Sequence, residues 1–228
     1  NIRPCFFAIL RGVPTFYETH KPFKYYNLFD KLLFKKIVKL KSFYSLITIS
    51  NYLLKDYNNN KNFSTTKKLM LRDSANLDNS LLVNNTNLKP KVGYVGSLYK
   101  GRGIDLIIEL SNISKNIEFH IVGDSKNYLK IKNLNNNFNL IFHGHLDYFE
   151  AISKMSEFDI LLAPYRSNVE VPGGLNTSEW MSPLKLFEYM SVKKPIITSD
   201  LSSLKEFMKH DYNCLIVKED KITGWNDA

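Results

Sequence analysis

Lys91-Val92-Gly93-Tyr94-Val95-Gly96-Ser97-Leu98-Tyr99-Lys100-Gly101-Arg102-Gly103-Ile104 is the stretch on which the fold turns. An apolar run of strand length passes through a glycine-bearing turn into a segment with helical periodicity, Ile104 to Leu110. The pattern then repeats. Strands are predicted over Glu118–Val122, Leu140–His143, Asp159–Ala163 and Pro195–Thr198, with a further unit through Leu215–Val217. Helices fall between them, including Phe149–Met155, Pro183–Ser191 and one between the strands at 118 and 140. Strands that alternate with helices and are nearly continuous in apolar residues build a parallel sheet covered on both faces. The expected class is a doubly wound α/β domain, whose ligands lie beyond the carboxyl ends of the strands.

Upstream the signals are shorter. Cys5–Leu10 reads as a buried strand closed by Gly12-Val13-Pro14, with a second strand at Thr15–Tyr17 and Glu18, Thr19 and His20 at its end. From Lys24 to Tyr44, Leu33, Ile37, Leu40 and Tyr44 recur at helical spacing, opposite Lys31, Lys35, Lys36, Lys39 and Lys41. This predicts one long basic helix. A β-rich run over Ser45–Ser50, a helix over Asn51–Tyr57, a loop over 58–68 and a strand at Leu69–Leu71 follow. Asn79–Pro90, rich in Asn and closed by Pro, reads as a linker, which divides the chain into residues 1–88 and 89–228. Both termini cut into regular patterns, so the sequence reads as a fragment.

Charge divides in the same way. Of 228 residues, the first 90 carry 15 Lys/Arg against 5 Asp/Glu, whereas the remaining 138 carry 16 against 17. The basic residues are 26 Lys and only 5 Arg, and the second half is nearly neutral, which argues against a nucleic-acid groove. Cys5 and Cys214 stand far apart, without disulfide-framework or zinc-type spacing. Apolar stretches are far shorter than the ~20 residues of a membrane span, and no signal peptide is visible. A reducing, cytoplasmic setting fits these features.

Two segments carry candidate chemistry. The turn after Val95 brings glycine backbone, a helix N-terminus and the cations Lys100 and Arg102 together, an arrangement suited to phosphate. A tight βα turn with two solvated bases is an equal alternative on this segment alone. In Ser182-Pro183-Leu184-Lys185-Leu186-Phe187-Glu188, Ser182 is expected to cap a helix with Pro183 at its first position. Glu188 could accept both ribose hydroxyls, or simply face solvent. His143 and His145 lie two apart, without a third ligand for a metal.

Val95-Gly96-Ser97 with Arg102-Gly103-Ile104-Asp105, Ile121-Val122-Gly123-Asp124, Ile141-Phe142-His143-Gly144, Ala163-Pro164-Tyr165 and Ser182 through Met190 together resemble glycosyltransferase family 4. Upstream, Gly12-Val13-Pro14, Tyr17-Glu18-Thr19-His20, Thr48-Ile49-Ser50 and Asp73-Ser74-Ala75-Asn76-Leu77 fit it more loosely. The resemblance implies an α/β fold of GT-B type, with two Rossmann-like doubly wound domains, the first incomplete. It implies a retaining, metal-independent hexosyltransferase that moves a sugar from a nucleotide-sugar, a co-substrate rather than a cofactor, to a saccharide or lipid-linked acceptor. The likeness is closest to bacterial enzymes of surface polysaccharide and glycolipid synthesis. By position, Gly96, Ser97, Lys100 and Arg102 would hold the donor diphosphate, helped by the helix start at Pro183, Leu184 and Lys185. Glu188 would bind the ribose, and His20 would face the donor sugar. Among these His20, Arg102 and Glu188 are the residues assigned to catalysis. Two positions depart from the family pattern. Trp180 replaces a Glu eight residues before Glu188, with Glu179 beside it, and Ser97 replaces an Arg, with Lys100 as the nearest substitute.

Two further expectations accompany this reading. The basic helix at 31–41 is a candidate peripheral contact with the inner membrane face, against the alternative of a helix packed on its own domain. A non-catalytic nucleotide-binding protein of the same fold is the competing functional class.

Overall fold

The computed structural model describes residues 2–76, 89–124 and 137–228. The chain divides into two compact units. One comprises Asn1–Asp73 with Glu179–Ser182, the other Ser74–Ser178 with Pro183–Ala228.

In the first unit, β1 (Thr15–Thr19), β2 (Phe43–Thr48) and β3 (Lys68–Met70) form a parallel sheet in that order. Residues Cys5–Leu10, expected as a strand, are instead part of helix α1 (Ile2–Leu10). Buried Ile2 and Ile9 lie two helical turns apart, and Cys5 and Phe6 pack on the same core, a spacing a strand could not bury on one face. The long basic helix is also corrected. Asn27 accepts a hydrogen bond from the Asp30 amide and starts α2 (Leu28–Ile37), while Phe23–Tyr25 form a separate 3-10 turn. Lys39 and Lys41 therefore lie beyond the helix, and Tyr44 belongs to β2. Helix α3 (Asn51–Asn58) begins where Ser50 accepts from the Leu53 amide. The expected loop after it holds a 3-10 turn, Lys61–Phe63, that buries Phe63. Tyr17, Phe23, Tyr26, Phe34, Tyr57 and Phe63 make an aromatic core whose ring pairs lie about 5–6 Å apart. Within it the Thr19 hydroxyl bridges those of Tyr26 and Tyr57 at 3.0 and 3.2 Å.

The second unit is built on a parallel sheet of order β6-β5-β4-β7-β8-β9. Its strands are β4 (Lys91–Val95), β5 (Glu118–Val122), β6 (Leu140–Gly144), β7 (Ile160–Ala163), β8 (Ile196–Ser199) and β9 (Leu215–Val217). Helices α4 (Ile104–Ile113), α5 (Tyr148–Ser156), α6 (Leu184–Ser191) and α7 (Ile222–Asp227) accompany them. Ile107, Ile121, Leu162 and Ile197 meet in the core beside Trp225. Strands run outward in one direction from β4 to β6 and in the other from β7 to β9, so the order reverses between β4 and β7. Ligands of such sheets bind at that reversal. The expected helix between β5 and β6, and most of the expected linker, lie outside the described residues. Among the described residues no helix is long and apolar enough to cross a membrane.

Candidate functional site

At the reversal point the loop following β4 is held by the sheet itself. The Gly96 amide donates to the Val122 carbonyl at 2.9 Å, and the Tyr94 hydroxyl donates to the Ser97 carbonyl at 2.7 Å. Tyr189, one residue after Glu188 on α6, reaches back to the same strand. Its hydroxyl accepts from the Val95 amide at 2.8 Å and lies 3.1 and 3.3 Å from the Val95 and Leu162 carbonyls. Farther along, Gly103 precedes α4 with φ of 76°, and a Cβ there would lie 1.8 Å from the Pro164 carbonyl oxygen. Glycine is therefore required where this loop crosses the loop after β7.

Lys185 reaches this place from α6. Its side chain inverts the usual disposition of a lysine, in which the stem is covered and the head is wet. Nζ is buried without a hydrogen-bond partner, 3.8 Å from the centre of the Tyr94 ring and 5.2 Å from that of Tyr165. A Cβ on Gly96 would fall 2.8 Å from it, so glycine at 96 leaves room for the amine. The Arg102 guanidinium lies 5.4 Å from the centre of the same Tyr165 ring, and its Nε is likewise buried and unpartnered. Burial, then the neighbouring Arg102 charge, pushes the Lys185 amine well below the usual lysine range, against the opposing pull of Glu188. Glu188, half-buried, is raised by burial, with Lys185 acting the other way. Burial pushes the Tyr165 hydroxyl up to about 12, opposed by Arg102. Lys185 Nζ and Arg102 Nε make no hydrogen bond, although the Tyr165 hydroxyl interacts with the Arg102 side chain; desolvated donors of this kind fit an anion with several oxygens.

Gly96, Ser97, Arg102, Lys185 and Glu188 are thus gathered at the ends of β4 and β7. Other expected site residues fall differently. Lys100 is turned to Glu170 at 2.9 Å, so the substitute expected for the missing Arg is already paired. Ser182 does not cap α6. Pro183 is the capping residue with no side-chain cap bond, Leu184 opens the helix, and the Ser182 hydroxyl is buried in the first unit. A cavity of about 770 Å³ lies beside the β4 loop, lined by Tyr99, Lys100, Asp105, Arg166 and Glu219 but not by Arg102, Lys185 or Glu188. Its arginine is already bound, to Asp105 and to the Glu219 carbonyl, each at 2.6 Å. The unpaired donors, rather than that cavity, mark the candidate site.

His20 belongs to the first unit, exposed at the end of β1 with Nε2 2.7 Å from the Glu18 carboxylate. In that unit Trp180 is buried against Tyr25 and Tyr52, with ring centres 5.4 and 5.8 Å away, and its indole N–H donates to the His20 carbonyl at 3.2 Å. Glu179, its neighbour, interacts with the Tyr52 hydroxyl and raises its pKa, after burial the largest cause. Asp73 is half-buried and raised by burial, with Ser182 and His20 acting to lower it. Of the two histidines weighed as a metal pair, His143 joins a different partner. Its Nε2 lies 2.9 Å from Nδ1 of His120 on the adjacent strand, with the rings stacked at 13°. Sequence reasoning passed over Tyr94 and His120 in strands, Tyr165 in the loop after β7 and Tyr189 on α6, since a tyrosine or histidine among apolar residues carries the same pattern as core.

Comparison with known proteins bears on this geometry. No curated protein matches the chain in sequence. Among solved structures it is similar to HepE of Anabaena bound to UDP and glucose, with 13% identity, a TM-score of 0.70, and 96% of this chain covering 62% of that one. It is similar also to sucrose-phosphate synthase of Thermosynechococcus elongatus, with 15% identity, a TM-score of 0.66, and 93% covering 57%. A third similar structure is the lipopolysaccharide outer core galactosyltransferase WaaB, with 14% identity, a TM-score of 0.64, and 100% covering 62%. The chain spans about three fifths of the length of such structures. These likenesses establish the fold, α/β of GT-B type with Rossmann-like sheets, as expected. A sequence model described as "Glycosyl transferases group 1" matches residues 89–228, more than half of the chain, and the protein belongs to that family.

Proposed function

We propose that the protein is a retaining glycosyltransferase of the family 4 type, moving a sugar from a nucleoside-diphosphate sugar to an acceptor hydroxyl. The observation that carries this reading is the pair of buried, unpartnered donors, Lys185 Nζ and Arg102 Nε, beside the Glu188 carboxylate at the sheet reversal. In the proposed site Gly96 and Ser97 present backbone to the diphosphate, Arg102 and Lys185 neutralise it, and Glu188 accepts the ribose hydroxyls. As the glycosidic bond to the diphosphate breaks, negative charge grows on the leaving phosphate, where fixed cations in a dry site are most effective. The acceptor hydroxyl attacks from the face that the diphosphate leaves, and its proton passes to the departing phosphate oxygen. His20 is assigned to the donor sugar, and the residues before the linker to the acceptor side, with 1–88 and 89–228 as the two domains. No resident metal is invoked, because the cations supplied by the chain take the charge.

A uridine nucleotide is the first donor to test, since HepE was solved with UDP and with UDP-glucose. A saccharide or lipid-linked acceptor, a role in surface polysaccharide or glycolipid synthesis and a cytoplasmic location follow from the resemblance. Peripheral membrane contact would use α2 and the lysines that follow it. The experiment is calorimetric titration of the chain with UDP, GDP and ADP, repeated on Glu188→Ala. Binding of one diphosphate, weakened roughly tenfold or more by loss of hydrogen bonds to a charged acceptor, is the expected result. No binding of any of the three by the folded chain would remove the donor site.

The buried Trp180, at the position where the family resemblance places a Glu, favours a second reading, a protein that binds nucleotide without transfer. Consumption of the donor in the presence of acceptor separates the two.

A further inference from the structure

A lysine nitrogen enclosed by protein normally has a carboxylate or several carbonyls around it, because an unpaired buried ammonium is too costly to maintain. Lys185 has neither. From β4 it meets the Tyr94 ring, from the loop after β7 the Tyr165 ring, and from the loop before α4 the permanently charged Arg102 guanidinium. On its own helix Glu188 is the opposing charge, one turn on, and no ion pair joins the two. Enclosure without a hydrogen-bond partner disfavours the charged form of this amine. It also prepares a place for the cation, since two ring faces receive an ammonium well once an anion is beside it.

Resting on the donor-site reading above, we propose that binding of the donor diphosphate converts Lys185 from a neutral amine to an ammonium, so that the site takes up a proton together with its ligand. The proton comes from buffer and passes to Nζ; no covalent bond to the ligand forms or breaks. The negative oxygens supply the acceptor that Nζ lacks, and the charge on Arg102 ceases to be the dominant neighbour. An empty site would thus hold one fixed cation, Arg102, and a filled one would hold two. Donor affinity becomes coupled to pH by a residue that the empty protein keeps uncharged.

The test is calorimetric titration of the full chain with UDP at about pH 8, in two buffers of different ionisation enthalpy. At that pH imidazoles of ordinary pKa and the terminal phosphate of UDP contribute little, and the Lys185→Met comparison separates the Lys185 amine from thiols and the α-amine. Net proton uptake of up to one per UDP is expected, with affinity falling by up to about tenfold for each pH unit above 8. Lys185→Met should bind more weakly with no uptake, and Lys185→Arg, permanently charged, should bind without uptake if it folds. Saturable binding with the same enthalpy in both buffers overturns the proposal and leaves the donor site standing. Failure of UDP, GDP and ADP alike to bind the folded chain overturns both. Uptake that persists unchanged in Lys185→Met overturns the assignment to Lys185.

Discussion

Acidification should weaken the second unit through His120, and the size of the effect follows from its surroundings. The side chain is 7% exposed, stacked on His143 and lying 5.2 Å from the Phe158 ring centre, with Nε2 unpartnered and 3.6 Å from the Glu118 carboxylate. Burial first, then His143, lowers its pKa from 6.5 to about 4, against the pull of Glu118 and with Lys154 and Lys91 lowering it further. His143 is lowered too, by burial and then Lys154. A histidine held neutral in the fold but free to protonate when unfolded stabilises the fold fully above its unfolded pKa. That contribution is lost as pH falls from about 6.5 toward 4, where the unfolded chain binds the extra proton. Integrated from about pH 7.5 to about pH 5, the loss from His120 alone is about 2 kcal/mol. With a urea slope of about 2 kcal/mol per molar, the unfolding midpoint moves down by about 1 M. The assay is urea unfolding of the chain carrying Trp180→Phe, so that fluorescence reports Trp225 in the second unit. His120→Phe, which keeps a ring on Phe158 but cannot titrate, should remove most of the pH dependence. Equal pH dependence with and without His120 would refute the reasoning, since Asp73 and Glu188, both raised, are common to both proteins.

Other perturbations test the geometry around the site. Gly103→Ala places a methyl 1.8 Å from the Pro164 carbonyl at a φ of 76°, and should destabilise the second unit by about 2 kcal/mol or more; a melting temperature within a degree of the parent would contradict the loop crossing. Trp180→Ala removes an indole packed on Tyr25 and Tyr52 and its bond to the His20 carbonyl. A loss of about 3 kcal/mol from the first unit is expected, read as faster proteolysis within residues 1–73, and unchanged protection would place Trp180 outside that unit's stability.

The sheet of the second unit was readable because its strands are short, nearly unbroken apolar runs ended by a glycine, proline or polar residue, as at Val95-Gly96, Val122-Gly123 and Ala163-Pro164. Arg102, Lys185 and Glu188 were recoverable because motif spacing and strand ends place them at the reversal point. Helix α1 was not, since an apolar run as short as Cys5–Leu10 has no readable period, and the decisive partner, Ile2, sits outside it. The boundary of α2 depended on one asparagine cap among residues that continue the helical pattern. What the tyrosines do, and the pairing of His120 with His143, are set by neighbours distant in sequence, for instance Tyr189 and Val95. Ser182 had the composition of a cap, yet it is placed with the first unit, and no local pattern announces that.

That placement has a consequence for how the chain is made. The first unit takes Glu179–Ser182 as well as Asn1–Asp73, so a ribosome emits most of it early and its last four residues much later. At about 5–20 residues per second, the wait between residue 73 and residue 179 is roughly 5–20 s. During that interval Tyr25 and Tyr52 have no indole between them, and the His20 carbonyl lacks its donor. The nascent first unit must therefore pass through a stage in which Tyr25 and Tyr52 lack the indole that covers them, and during synthesis a chaperone would have this further aromatic surface to hold.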